Sequence, residues 1–463
     1  MTNRSVEYFV EFLGRLVAGR KFILAVGPLA ASKTWITQLA LLGAAKPFVL
    51  ADVEGTGPRP SADQAFSYVL GIDVDTSESA MREYERRLAS LPGEAMTALD
   101  EYDPDRDGVA VTNPMFALED IGGRLNWMAR PKRWSDLEDK CAIDQVWDAA
   151  RVPRAPAAVV EAQLGPLRKA ARKLDRGRGT VWSGDTRSGI HGSARGIRWV
   201  RTVKDEQFVH RFFQPRCDRV RVMPFLEGIP CSIHGMVVTG QVISFRPIEM
   251  LTLRESGRTT FHYAGWASYW DPPPEDRRHM RKIAHAVGTY LRDACDYRGS
   301  FSVDGVLTED GFLPTELNPR YGMGLSILDD VLPELPFRVL DLVVRMFPQL
   351  DLRPSALEEL VVNALDQRRG GGAWSISRGP KVDASTSYSL VRTSGMYRHA
   401  APGDRRDAVM TVGPTHAGMF VRFVPETERT PVGESLGPRV VEAYTWADRE
   451  IGTRFGPLTA AGG

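Results

Sequence analysis

Asp304, Glu316 and Asn318 stand close together in FSVDGVLTEDGFLPTELNPRYG, residues 301–322. Phe301, Val303 and Leu307 alternate with Ser302, Asp304 and Val306, and Leu313 and Leu317 alternate with Glu316 and Asn318, which predicts two strands. A three-residue loop Glu309-Asp310-Gly311, with Gly311 at the left-handed bulge position, pairs Thr308 with Phe312, Leu307 with Leu313 and Val303 with Leu317. That register sets Asp304 opposite Glu316 with Cβ atoms roughly 5 Å apart, and Asn318 shares their face. A two-residue Asp310-Gly311 turn would oppose Asp304 to Leu317, so the first register keeps each face chemically uniform. Two facing carboxylates repel unless something positive lies between them. With an amide oxygen they make an all-oxygen set that suits Mg²⁺, completed by phosphates and water. A solvent-facing acidic hairpin is the plainer alternative.

Phosphate-binding features occur in the same chain. Residues 183–196 form a Gly/Ser loop that includes Ser188, Gly189, His191 and Gly192, and backbone N–H groups of such a loop can wrap phosphate oxygens. The loop matches no Walker pattern and an ordinary surface loop is its alternative. It lies within residues 168–221, where fifteen Lys or Arg face five Asp or Glu. That stretch is open to reading as a solvated face or a nucleic-acid patch. Its aromatics, Trp182, Trp199, Phe208, Phe212 and Phe213, fit strand core better than base stacking, so nucleic acid is the minor reading.

The elements that must position these residues follow from periodicity. Phe22–Val26 and Pro47–Ala51 are short apolar strands with a helix between them carrying Trp35, Ile36, Leu39, Leu41 and Leu42, a βαβ unit with a parallel sheet. Gly27 stands alone in GPLAAS, so no dinucleotide fingerprint is present. Ser135 with Glu138 three residues later predicts a capped helix that carries Lys140 and ends before Val152-Pro153. Residues 275–294 predict an amphipathic helix with Met280, Ile283, Ala284, Val287, Leu291 and Ala294 on one stripe. After about residue 350 the texture turns polar and glycine-rich. Over the whole chain, 463 residues with net charge +1, 25% charged and 43% hydrophobic describe a folded multidomain protein. The charge balance removes the general electrostatic case for nucleic-acid or membrane-surface partners. No apolar run approaches a membrane span, and the charged N-terminus lacks a signal-peptide core. Four cysteines without a C-x-x-C pair fit a reducing cytoplasm.

Taken in order, Asp139-Lys140, the 183–196 loop, Phe225-Leu226-Glu227-Gly228, Asp304 and Glu316-Leu317-Asn318-Pro319-Arg320 resemble an ATP-grasp carboxylate–amine ligase. The GIPCSIHG and TELNPRYG phrases and the three-part layout are most similar to the pheganomycin-type peptide ligases. The resemblance implies an α/β pre-ATP-grasp domain at 1–132, an α+β ATP-grasp core at 133–350 and a small α+β C-terminal domain at 351–463. It implies ATP and Mg²⁺, a small carboxylic acid activated as an acyl phosphate, and the amine of an amino acid or peptide, in peptide natural-product (antibiotic) biosynthesis. By position, Asp304, Glu316 and Asn318 would hold Mg²⁺, Arg320 would steady the acyl phosphate and oxyanion, and Lys140 would contact ATP phosphates. Met223, Phe225 and Leu226 would line the adenine slot with Glu227 nearby, and the loop around Ser188–Gly192 would close over the triphosphate.

The chain departs from the pattern at Thr180-Val181-Trp182-Ser183, which has no Lys where the family has its second nucleotide-binding Lys, and at Ile229-Pro230, where a ribose-binding Glu is usual. Arg187 or Arg195 is the expected substitute, or nucleotide affinity is weakened. Arg246 and Glu249 fall on one predicted strand before a loop at 253–260, either as a substrate-carboxylate contact or as a surface ion pair. Cys231 lacks a base partner, and His234 and His262 read as structural. Trp374, Tyr388, Tyr397, Phe420 and Phe423 could furnish one wall of the amine site, or only cover apolar surface or a dimer contact. Oligomeric state stays open, a homodimer included. A non-peptide ligase of the same superfamily and a non-catalytic nucleotide-binding module are the alternative functions.

Overall fold

The computed structural model describes residues 2–187, 194–416 and 418–462. Phe22–Ala25 and Phe48–Ala51 are parallel neighbours joined through the Lys33–Leu41 helix, as the βαβ pattern requires. Phe66–Val69 and Val109–Thr112 extend them to a four-stranded parallel sheet in the order 66–69, 48–51, 22–25, 109–112. The three strands at 22–25, 48–51 and 109–112 are buried at every position, which is why they read as continuous apolar runs instead of alternating ones.

A second sheet is antiparallel, in the order Ala158–Glu161, Arg219–Pro224, Thr180–Gly184, Ile197–Val200. The third has twelve strands. Its path begins Gly311–Asn318, Gly299–Thr308, Ile229–Val238, Ile248–Glu255 and Phe261–Ala267, then continues through Gly371–Ser377 into the strands of the last hundred residues. The predicted α/β architecture with a parallel N-terminal sheet and a larger α+β body is the one observed. Among the described residues no helix is long and apolar enough to cross a membrane.

The amphipathic helix spans Pro274–Cys295 and buries Met280, Ile283, Ala284, Val287 and Leu291. Ala294, one residue from the end of the helix, is exposed. The predicted capped helix is corrected. Lys132–Ser135 is a single α-helical turn continued by a 3-10 turn at Asp136–Glu138, the next α-helix is Ile143–Ala149, and Lys140 lies in the turn before it. Ser135 caps nothing; its hydroxyl donates to the Lys132 carbonyl at 3.0 Å.

The acidic hairpin closes differently from the expected loop. Thr308 pairs with Gly311 across the two residues Glu309 and Asp310, and Leu307 pairs with Phe312. Gly311 adopts φ +96, the left-handed region that favours glycine. A bulge then inserts Thr315, whose hydroxyl donates to the Asp304 carbonyl at 3.2 Å. This extra residue restores the expected pairing of Asp304 with Glu316 and Val303 with Leu317.

Candidate active site

Asp304, Glu316, Asn318 and Arg320 open into one cavity of about 340 Å³ between the second and third sheets. Asp304 accepts from the Ser232 hydroxyl at 2.6 Å and from Asn318 Nδ2 at 2.9 Å. Burial, then the charge of Glu316, pushes the Asp304 carboxyl up to about 6. Lys140 Nζ reaches Glu316 Oε1 at 2.6 Å. Arg320 donates to Asn318 Oδ1 at 2.8 Å and to Glu138 Oε1 at 3.2 Å. Burial would lower the guanidinium, but Glu138, Glu316 and Asp304 together raise it, so it stays charged. The predicted oxygen face is thus assembled, and two cations already balance it.

Among the described residues no three His, Cys, Asp or Glu side chains gather as a metal centre. The set is two facing carboxylates and one amide, which fits a hard divalent cation that takes its remaining oxygens from phosphates and water. Asp304, crowded and raised, is the group that such a charge would relieve.

Met223, Phe225 and Leu226 line the other end of the cavity. Phe225 stacks on Trp199 with ring centroids 4.2 Å apart and planes 19° apart, and Phe261 lies parallel to it at 6.4 Å. Glu227 does not line the cavity. It pairs with Arg178 at 2.6 Å and with Arg254, whose guanidinium lies over Phe225. Gly228 has φ +146, and a Cβ there would lie 2.1 Å from the Leu307 carbonyl oxygen, so the hinge passes the acidic hairpin too closely for any side chain.

Ser188, Gly189, His191 and Gly192 lie outside the described residues. The loop base is held by Asp185, which accepts from the backbone N–H groups of Arg187, Asp218 and Arg219 at 3.1, 2.9 and 2.8 Å. Arg187 is paired with Asp218, Arg195 is exposed, and neither lines the cavity. The cation that does is Arg221, 2% exposed and directly across the strand pair from Ser183. Asp144 grips its Nε and Nη2 at 3.0 and 2.7 Å, leaving Nη1 against the Met223 sulfur at 3.0 Å.

Arg246 is placed elsewhere. It precedes the Ile248–Glu255 strand and is buried, paired with Asp366 at 2.9 Å and with Asp271, outside the cavity lining. Glu249 is not its partner; it accepts from Ser435 Oγ at 2.5 Å and Leu436 N–H at 2.8 Å. The expected loop at 253–260 is observed as a turn at 256–260 between the strands Ile248–Glu255 and Phe261–Ala267, with its first three residues extending the first strand. Cys231 is fully buried and its thiol raised by that burial, so it is no nucleophile.

Glu138 was hidden by its capping-box spacing; its carboxylate reaches Arg130 and Arg320 instead. Arg221 had a readable signal, since it sits two residues before Met223 and so shares its strand face. Ser232, Tyr263 and Trp266 had none, because distant strands bring them in.

No family model matches the chain. No curated protein matches it either. Solved structures do. The ADP complex of an N5-carboxyaminoimidazole ribonucleotide synthetase aligns with a TM-score of 0.51 and 11% identity over 94% of this chain and 98% of its own. The biotin carboxylase domain of Hydrogenobacter thermophilus 2-oxoglutarate carboxylase, solved with MgADP and bicarbonate, aligns with a TM-score of 0.57 and 11% identity over 96% and 91%. Thermotoga maritima phosphoribosylamine–glycine ligase gives 0.52 and 12% over 95% and 97%. At these identities the likeness establishes a shared fold over nearly the whole chain.

Proposed function

We propose that this chain is an ATP-dependent carboxylate–amine ligase that works through an acyl phosphate. The observation that carries the reading is one cavity in which a stacked aromatic slot and an acidic face with Lys140 and Arg320 lie end to end. The fold is shared with proteins solved with ADP, MgADP or ATP, which supports ATP as the substrate and Mg²⁺ as its companion.

Adenine would lie against Phe225 and Phe261, with Met223 and Leu226 closing the slot. Lys140 and Nη1 of Arg221, whose partner in the structure is only the weak Met223 sulfur acceptor, would meet phosphate oxygens as point charge and donor. Asp304, Glu316 and the Asn318 amide would hold Mg²⁺, which when bound neutralises phosphate charge during transfer. A substrate carboxylate oxygen attacks the γ-phosphorus, the bond to the bridging oxygen breaks, and ADP leaves. Arg320, kept charged and aimed by Glu138 and Asn318, stabilises the acyl phosphate and then the oxyanion formed when the amine attacks the acyl carbon. Phosphate departs with the C–O electron pair, and the amide nitrogen loses its proton.

The finer reading is a peptide ligase in natural-product biosynthesis, joining a small acid to an amino-acid or peptide amine. It rests on the GIPCSIHG and TELNPRYG phrases. The division into units 1–132, 133–350 and 351–463 belongs to the same reading. ADP and hydroxamate formation from ATP, hydroxylamine and a panel of carboxylic acids tests it. ADP release that requires an acid supports ligase chemistry; nucleotide binding with no acid-dependent turnover across the panel would favour a nucleotide-binding module.

A further inference from the structure

The hairpin formed by Ile248–Glu255 and Phe261–Ala267 lies along the cavity as a ruler. Met250, Thr252 and Arg254 alternate along one strand and so share a face, and all three line the cavity. Their partners across the pair are Trp266, Tyr263 and Phe261. Successive rows stand about 7 Å apart, two residues at about 3.4 Å each. A bulge between the second and third rows is what lets Trp266 face the same side as Tyr263, three positions away.

The rows differ in chemistry. Arg254 and Phe261 sit beside Phe225, at the aromatic slot. Ile248, two residues before Met250 on the same strand, pairs with Ser232, and Ser232 pairs with Asp304, so the acidic face is level with the strand end beyond Met250. Met250 and Trp266 therefore form the row nearest the acidic face, with Thr252 and Tyr263 between it and the slot. Trp374, carried by the adjoining Gly371–Ser377 strand, completes an apolar wall with ring centroids 6.5 Å from both Trp266 and Tyr263.

Among the described residues the charged side chains lining the cavity are Lys140, Arg221, Arg254, Asp304, Glu316 and Arg320. All six belong to the slot or the acidic face; the wall of Met250, Tyr263, Trp266 and Trp374 carries no charge, and Arg422, across the strand pair from Trp374, is exposed and does not line the cavity. His234, which also lines the cavity, is held neutral because burial pushes it down to about 3. A phosphate or second carboxylate seated on that wall would be buried without a partner, which is strongly unfavourable.

We infer that the acid activated at Arg320 carries an uncharged apolar body, an aromatic or branched aliphatic group without phosphate or second carboxylate, packed on Met250, Tyr263, Trp266 and Trp374. The body belongs to the acid because the wall starts at the Met250–Trp266 row, the one nearest the acidic face, where the reacting carboxylate must lie. The inference rests on the ligase reading, and one titration series separates the two.

MgADP is titrated first into the full-length protein, then 3-phenylpropionate, 4-methylpentanoate, succinate, 3-phosphonopropionate or 2-phenylethylamine into the MgADP complex. The two apolar acids are expected to bind at least tenfold tighter than the two dianions. Trp374→Ala is expected to weaken 3-phenylpropionate at least fivefold while leaving MgADP affinity unchanged, with Met250→Ala as the second variant should the first not fold. Absence of MgADP binding overturns the ligase reading and this inference with it. If MgADP binds, equal or tighter binding of the dianions, no binding of either apolar acid, or preference for the amine overturns the inference alone.

Discussion

Glu316 faces Asp304 across the hairpin and pairs with Lys140, so its single charge both raises Asp304 and neutralises Lys140. Glu316→Gln keeps the volume and removes that charge; turnover is expected to vanish at limiting Mg²⁺ while circular dichroism and melting stay close to wild type. Retained turnover would remove the hairpin from the metal role. Arg320 bonds Glu138 and Asn318 through different nitrogens of one planar fork, a geometry that lysine cannot reproduce. Arg320→Lys is expected to lower kcat by about 100-fold, with ADP affinity within about threefold; equal losses in both would make Arg320 a ground-state binder. Arg221 is held by Asp144 through Nε and Nη2, leaving Nη1 on the weak Met223 sulfur acceptor, which an anion would outcompete. Arg221→Met should therefore raise the KM for ATP about tenfold or more, the loss of one charge-assisted hydrogen bond, with a smaller change in kcat.

At the scale of elements, the central Ile248–Glu255 strand is tied to the C-terminal helix Gly437–Glu450 through Glu249, which accepts from Ser435 and from the Leu436 N–H at that helix's start. Burial pushes the Glu249 carboxyl up to about 7, against the hydrogen bonds that lower it. The folded form therefore holds this proton where the unfolded chain, near 4.5, has lost it. The associated stability is complete below about pH 4.5 and is lost as pH rises through about 7. Glu249→Gln should flatten the fall in melting temperature between about pH 5 and 7. An unchanged slope in the variant would assign the pH dependence to other groups.

For the whole molecule, the last hundred residues are woven into the body. Gly371–Ser377 pairs with Phe261–Ala267, Leu458–Thr459 pairs with Ile248–Glu255, and Asp366 neutralises the buried Arg246. The Pro354–Gln367 helix adds Leu357, Leu360, Val361, Ala364 and Leu365 to the core that also holds Phe9 and Leu13. The four larger side chains of that group contribute about 1.5–3 kcal/mol each, comparable with the whole net stability of about 5–15 kcal/mol. A chain ending before Asp351 is therefore expected to be insoluble or unfolded, checked by soluble yield and calorimetry. A soluble fragment that still binds MgADP would show that the first 350 residues fold alone.

Local chemistry was legible before the structure. Period-two alternation predicted the acidic hairpin and its Asp304–Glu316 pairing, apolar runs predicted the parallel sheet, and a helical stripe predicted the Pro274–Cys295 helix. Each depends on neighbours in the chain, where spacing and side-chain direction are coupled by backbone geometry. The Thr315 bulge was not legible, since a one-residue insertion leaves the alternation on either side intact. The role of Glu138 was misread because its spacing to Ser135 imitates a cap, whereas the partner that wins it, Arg320, lies 182 residues away. Arg246 looked available only while Asp271 and Asp366 were unknown as its neighbours. Which aromatic residues meet at Trp266 and Trp374, and therefore what the cavity can hold, was decided by strand order, and strand order is a property of the packed sheet with no short-range trace in the chain.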